Sequence, residues 1–191
     1  DEENVATLSV DMQVVDRLLG DWVGVNSILL GQDIGDVSGG ELTTDDGFPS
    51  CKASRLEDTN SCIDGTFAKT SIQVSRYQQL FKANALLFQG YYQYTDDVLV
   101  PLEQLALGGV STVRAYPQSQ QLVDRGGYAR LEWQVGVHDL LETRPANWDL
   151  TVFLAGDYGG GENISSIQQQ DIEDMSGYGG GMFFEYRFGP R

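Results

Sequence analysis

The chain has 191 residues, 41% of them hydrophobic and 21% charged, with a formal net charge of −16. The apolar content excludes a disordered tail, and an acidic chain with no basic stripe argues against nucleic acid as a partner. No run approaches the roughly 18 consecutive apolar residues of a membrane helix, although membrane-spanning strands alternate apolar and polar residues and escape that test.

The opening Asp1, Glu2 and Glu3 are the opposite of the basic region that begins a secretory signal, so the sequence reads as mature, processed or part of something longer. Residues 7–14 then alternate strictly. Leu8, Val10, Met12 and Val14 share one face, and Thr7, Ser9, Asp11 and Gln13 the other. A period of two with one apolar face is a half-buried strand. Residues 22–33 alternate weakly and predict a second strand. Residues 35–65 read as a long, acidic, Gly-rich loop holding both cysteines, Cys51 and Cys62. With no third thiol and His138 distant, a zinc site is excluded. A loop disulfide formed in an oxidising compartment is the expectation, and two free thiols are the alternative.

Residues 66–80 predict a third strand with Ile72 and Val74 on one face. Residues 81–83 predict a tight turn. In residues 84–94, Leu86, Phe88, Tyr92 and Tyr94 oppose Gln89, Tyr91 and Gln93. The cleanest alternation starts at Tyr128: Ala129, Leu131, Trp133, Val135 and Val137 on one face, Tyr128, Arg130, Glu132, Gln134 and His138 on the other. From Asp149, Leu150, Val152 and Leu154 oppose Asp149, Thr151 and Asp157. Residues 159–176 read as a second long polar loop. From Gly181, Met182, Phe184, Tyr186 and Phe188 oppose Phe183, Glu185 and Arg187.

A soluble sandwich would alternate too, but three features favour an all-β, antiparallel transmembrane barrel. The strands are longer than the usual roughly 5–6 residues. Polar faces carry opposite charges in mid-strand, Arg130 with Glu132 and Glu185 with Arg187, as on a wet lumen wall. Apolar faces end in aromatics, and tight turns alternate with long polar loops. The acidic loops read as solvated rims, with divalent-cation or lipopolysaccharide-bridging sites as the alternative, although no spacing matches a calcium loop. About seven strands, with no linker between them, predict one domain over residues 1–191 and an incomplete barrel.

Between the strands at 84–94 and 128–138 lies a segment with its own pattern: Leu99, Pro101, Glu103, Gln104, Leu107, Gly108, Gly109, Val113, Arg114 and Tyr116, followed by Asp124, Gly126 and Glu132. This resembles the two-partner-secretion transporters of the FhaC/ShlB type, the haemolysin secretion/activation family, in the superfamily of the barrel-assembly protein BamA. Their pattern is roughly L-x-P-x-E-Q-F-x-L-G-G-x-x-x-V-R-G-[FY], then G-D-x-G. Leu105 stands where the pattern has Phe, and Ala115 where it has Gly. A left-handed backbone at Ala115 would cost about 1 kcal/mol or more.

The resemblance implies a barrel of about sixteen strands, preceded by POTRA domains that this chain lacks. It also implies an inward-folded loop carrying Gly108, Gly109, Val113, Arg114, Ala115 and Tyr116. It places Arg114 in the lumen, where a planar guanidinium calls for a carboxylate. By alternation the candidates are Asp157 and Glu132. Asp157 with Gly159 matches a later D-x-G of the family, though Ala155 replaces its usual Phe.

The function this implies is a translocation pore in a bacterial outer membrane, exporting an exoprotein partner and bounded by lipid and lipopolysaccharide. The family uses no nucleotide or bound cofactor. No catalytic set appears: one His, no Gly-x-Ser-x-Gly, no phosphate loop. The alternatives are a BamA/TamA-like insertase and, from another class, a passive porin or surface adhesin.

Overall fold

The computed structural model describes residues 2–38, 65–81, 83–140, 147–164 and 174–186. Seven strands form one antiparallel sheet: β1 (Glu2–Leu19), β2 (Trp22–Ser38), β3 (Gly65–Phe81), β4 (Asn84–Thr95), β7 (Arg125–Gly136), β8 (Trp148–Glu162) and β9 (Met175–Tyr186). They are neighbours in chain order, and among the described residues β1 and β9 do not pair, so the sheet is open. Between β4 and β7 lies a two-stranded hairpin, β5 (Leu105–Leu107) with β6 (Gln121–Val123), and a single helical turn, α1 (Val137–Leu140), follows β7.

Register shows how the alternation is used. Val10 pairs with Leu30, Leu30 with Ile72 and Ile72 with Tyr92; further along, Leu86 pairs with Trp133 and Trp133 with Leu154. Directly opposed residues share a face, so these rows form one apolar surface. That surface is the exposed one: Leu8 is 71% exposed, Leu154 60% and Met182 70%. A soluble sandwich buries its apolar face, and this sheet does the reverse. The opposite rows, Ser9–Gly31–Ser71–Gln93 and Gln89–Arg130–Asp157–Gly177, carry polar groups and glycine. Glu132 and Asp157 on that inner face are buried.

On β1 to β3 the outer face turns polar toward the tight-turn end. There, on the same outer face, Arg76 donates through Nη1 and Nη2 to the two carboxylate oxygens of Asp16 at 3.0 and 3.1 Å, and also bonds Gln78. One guanidinium thus ties β1 to β3 across β2.

The buried apolar residues form two small clusters, Val37 with Phe67 and Leu99, and Leu107 with Val113, Val123 and Met175. Both lie where the segment between β4 and β7 meets the inner face. The tertiary core of this sheet is therefore its contact with that segment.

Several boundaries differ from the sequence reading. β2 runs through Gly35 to Ser38, β8 through Gly159 to Glu162, and β9 begins at Met175 rather than Gly181. The glycines that read as loop are strand residues over which other groups lie close: a Cβ on Gly35 would sit 2.4 Å from the Phe67 ring. Conversely, Val137 and His138 leave the strand for α1. β4 begins at Asn84, which pairs with Val135, and β8 pairs no further than Gly136 with Thr151, so β7 has no partner beyond Gly136, whose amide bonds Ala83 in the turn at 2.7 Å. His138 packs edge-on against Trp148 with ring centroids 3.9 Å apart. Cys51 and Cys62, the expected disulfide, lie outside the described residues, as do Arg187 and Phe188.

Candidate functional site

The segment leaves β4 through a polar turn. Ala68 donates its amide to Asp97 at 2.8 Å, and Thr95 Oγ1 donates to the Ala68 carbonyl at 2.8 Å. Leu99 is then buried against Val37 and Phe67. The Lys69 ammonium on β3 binds the Glu103 carboxylate and lies 3.7 Å from Asp33 on β2, so the segment is tied to β3 as well.

β5 and β6 form the stem of a hairpin, and its tip depends on glycine for both conformation and space. Gly108 and Gly109 have φ of +101° and +94°, in the left-handed region that L side chains rarely adopt. A Cβ on Gly108 would lie 2.3 Å from the Pro117 carbonyl oxygen, and one on Gly109 2.1 Å from Gln118 Oε1. The Gly108 amide donates to Thr112 Oγ1 at 2.8 Å, and the Gly109 amide to the Tyr116 carbonyl at 3.0 Å. This closed tip presents Val113, Arg114 and Ala115 to β8 and β9.

Arg114 is held by one strand with help from its neighbour. Its backbone amide and Nε both donate to Asp157 Oδ2, at 3.0 and 2.8 Å, and Nη2 donates to Asp157 Oδ1 at 2.7 Å. Nη1 donates to Glu132 Oε2 at 2.6 Å. The second Glu132 oxygen accepts from Gln134 at 2.7 Å. The bidentate fork on Asp157 and the single bond to Glu132 use the planar donor set that distinguishes Arg from Lys. Asp157, chiefly, holds the Arg114 guanidinium above even its ordinary high value, so it is a permanent cation. Arg130 lies 3.7 Å from Asp157 and donates to the Ser111 carbonyl at 3.0 Å. The mid-strand pair expected between Arg130 and Glu132 is therefore not the one formed. On one strand face these residues point the same way, and the inserted Arg114 takes Glu132 while Arg130 turns to the loop and Asp157.

The tip rests on glycines that the sequence reading left outside its strands. Val113 is fully buried, and a Cβ on Gly159 would lie 2.9 Å from its Cγ2. A Cβ on Gly161 would lie 2.7 Å from Val123, and one on Gly177 2.5 Å from the Ala115 methyl. Gly159 and Gly177 have ordinary negative φ, so what each supplies is space. The D-x-G spacing follows from strand geometry: Asp157 and Gly159 are two apart, so both face the loop, one to bind Arg114 and one to admit Val113. The left-handed residue considered at Ala115 is not there; Ser119 is the only described non-glycine with positive φ. Tyr116 packs against the Val113 cluster.

The structure therefore brings Gly108, Gly109, Val113, Arg114, Ala115, Tyr116, Glu132 and Asp157 to one place. Gln134, Arg130, Gly161, Gly177 and Met175 join them, and the run Gly159–Gly161 was the signal for part of that set.

Comparison with known proteins agrees in fold. CdiB from Escherichia coli superposes with a TM-score of 0.65 over 95% of this chain, at 21% identity. The chain spans 30% of that protein's length, so the open sheet corresponds to part of a β-barrel. No curated protein matches the chain in sequence. Residues 26–184 match the family described as haemolysin secretion/activation protein ShlB/FhaC/HecB. The chain belongs to that family of two-partner-secretion transporters.

Proposed function

We propose that this chain forms part of the wall of a protein-translocating pore in a bacterial outer membrane, exporting an exoprotein partner without nucleotide or cofactor. The observation that carries this reading is the Arg114 clasp. A hairpin folded onto the inner face is held there by four hydrogen bonds to Asp157 and Glu132 and by one small apolar cluster. Polar bonds in a wet lumen can be exchanged for bonds to water, so such a hairpin can leave its place without unfolding the sheet. The sheet rests on its own backbone ladder.

The two faces support the same reading. The outer face offers lipid and lipopolysaccharide an apolar band. On the inner face, β1 presents Ser9, Asp11 and Gln13, and β3, on the far side of β2, presents Ser71, Gln73 and Ser75. Polar groups of this kind, uncharged apart from Asp11, give an extended polypeptide exchangeable hydrogen bonds and little apolar surface to adhere to.

The test is export of the partner by the Arg114→Ala protein, with heat-modifiable gel mobility to check assembly. Export should fall while barrel levels hold. Normal export at normal levels sinks the reading. A defect in assembly of other barrel proteins, with export intact, would instead point to an insertase.

A further inference from the structure

Arg114 holds the tip of the inward segment, and Asp124 stands at its base. Asp124 is the residue before β7, and it is fully buried. Its Oδ1 accepts the Leu99 amide at 3.0 Å and the Gln104 side-chain amide at 2.9 Å, and its Oδ2 accepts the Ile164 amide at 2.9 Å. Its own amide donates to Asn163 Oδ1 at 3.0 Å, and its carbonyl accepts from Gln93 Nε2 at 3.0 Å. Asn163 also donates from Nδ2 to the Leu122 carbonyl at 3.2 Å.

One residue therefore joins three things: the entry to the segment, at Leu99 and Gln104; its exit, at Asp124 itself; and the start of the β8–β9 connection, at Asn163 and Ile164. A buried carboxylate is costly to desolvate, and a plain hairpin base could be closed with apolar groups. What a carboxylate adds is acceptor capacity on both oxygens, which an amide of the same size lacks.

The second attachment lies on the same strand. Asp157 in β8 holds Arg114, Gly159 and Gly161 admit Val113 and Val123, and Asn163 follows the end of β8. The segment is fastened to β8 from tip to base.

We propose that Asp124 is a positioning residue acting through Arg114. By closing the base of the 99–124 segment onto the β8–β9 connection, it fixes where the tip meets Asp157 and couples seating of the tip to that connection. A force or partner that draws the β8–β9 connection away from Asp124 loosens the tip at a distance. The proposal rests on reading the segment as the working loop of the pore.

Asp124→Asn in the intact, membrane-assembled protein tests it. The substitution keeps size and one acceptor oxygen but turns an amide N–H₂ toward the Ile164 N–H, so the side-chain link to the connection is lost while Leu99 and Gln104 keep theirs and the backbone bond to Asn163 remains. The readout is hydrogen exchange over residues 108–116, which include the bonded amides of Gly109, Thr112, Arg114 and Tyr116. Exchange there should quicken by about tenfold or more, the opening expected when a buried donor loses its acceptor. The β4, β7 and β8 ladders should keep their protection. Asn163→Ala, which leaves the carboxylate in place and removes the brace, should shift the tip in the same direction, and it carries the test alone if Asp124→Asn does not assemble.

Tip exchange within about twofold of the unmodified protein overturns the proposal, and so does an equal loss of protection throughout the ladders, which would make Asp124 a residue of general stability. Export distinguishes the two ideas. Normal export by Arg114→Ala removes the pore reading whatever the tip does, whereas the role of Asp124 stands or falls on tip exchange.

Discussion

Asp157 and Gly159 sit two residues apart on the same face of β8 and secure one loop by opposite means. Asp157 accepts three hydrogen bonds from Arg114, and Gly159 leaves room for the Val113 side chain, whose Cγ2 would lie 2.9 Å from a Cβ placed there. Binding and close approach are separate requirements, and they respond differently to substitution.

The two carboxylates around Arg114 are unequal. Asp157 receives three bonds and is the more deeply buried side chain, 4% exposed against 11% for Glu132. Asp157→Ala should therefore unseat the loop more than Glu132→Ala. The expected local cost is about 3–5 kcal/mol for a fully dry pair and less in a wet lumen. Glu132→Ala, which breaks one charged bond, should cost about 1.5–3 kcal/mol. Double-mutant cycles with Arg114→Ala, read by hydrogen exchange at the tip, should give the larger coupling for Asp157. Equal coupling for the two would contradict the geometry.

Gly159→Ala tests the space requirement. Its added methyl meets Val113 at 2.9 Å and the Tyr128 Cβ at 3.3 Å. The loop should lift and export should fall, and the second change Val113→Ala should restore much of both by removing the crowded group. Failure of Val113→Ala to rescue would mean that Gly159 is needed for something other than room.

Ala115 and Gly177 form a complementary pair. A methyl on Gly177 would lie 2.5 Å from the one on Ala115, well inside any contact that real Cβ atoms make. Gly177→Ala alone should displace the tip. Gly177→Ala with Ala115→Gly moves the single methyl across the contact and should recover loop seating, again read by exchange at 108–116. Ala115 has no left-handed backbone, so Ala115→Gly by itself should change little. If the double variant is no better than Gly177→Ala, the contact is not what limits this position.

The two faces of the sheet should respond oppositely to charge. Leu131 pairs with Phe88 and lies in mid-strand on the exposed apolar face, whereas Gln73 pairs with Tyr91 on the inner face. Leu131→Arg should cost roughly 2–4 kcal/mol in lipid if it lies near the midplane, and Gln73→Arg far less. Val135 is a poorer site for this test, because β7 ends one residue later, at Gly136. Folding titrations into detergent or lipid would measure both, and equal costs would show that the outer face does not meet hydrocarbon.

The sequence by itself determined the strands with strict alternation, because a period of two along residues 7–14 or 128–136 specifies which side chains share a face without reference to any partner. The family resemblance placed Arg114 in the lumen in need of a carboxylate, and alternation together with the D-x-G match named Asp157 and Glu132. What the sequence left undetermined was everything set by contact between distant segments. Gly35, Gly159 and Gly177 were left outside the expected strands because local propensity cannot distinguish a glycine that bends the chain from one that admits a neighbour. Only the tertiary packing, the Phe67 ring over Gly35 and the hairpin over Gly159 and Gly177, shows that these are strand positions kept bare. Arg130 looked like the partner of Glu132 for the same reason: neighbouring charges on one face suggest a pair, until a loop from elsewhere inserts a better donor. Asp124 could be matched to a pattern, but its burial and its bonds to Leu99, Gln104 and Ile164 exist only once residues 25 and 40 positions away are brought beside it. A side chain's neighbours along the strand are written in the sequence, and its neighbours across the fold are decided by which segments come to lie together.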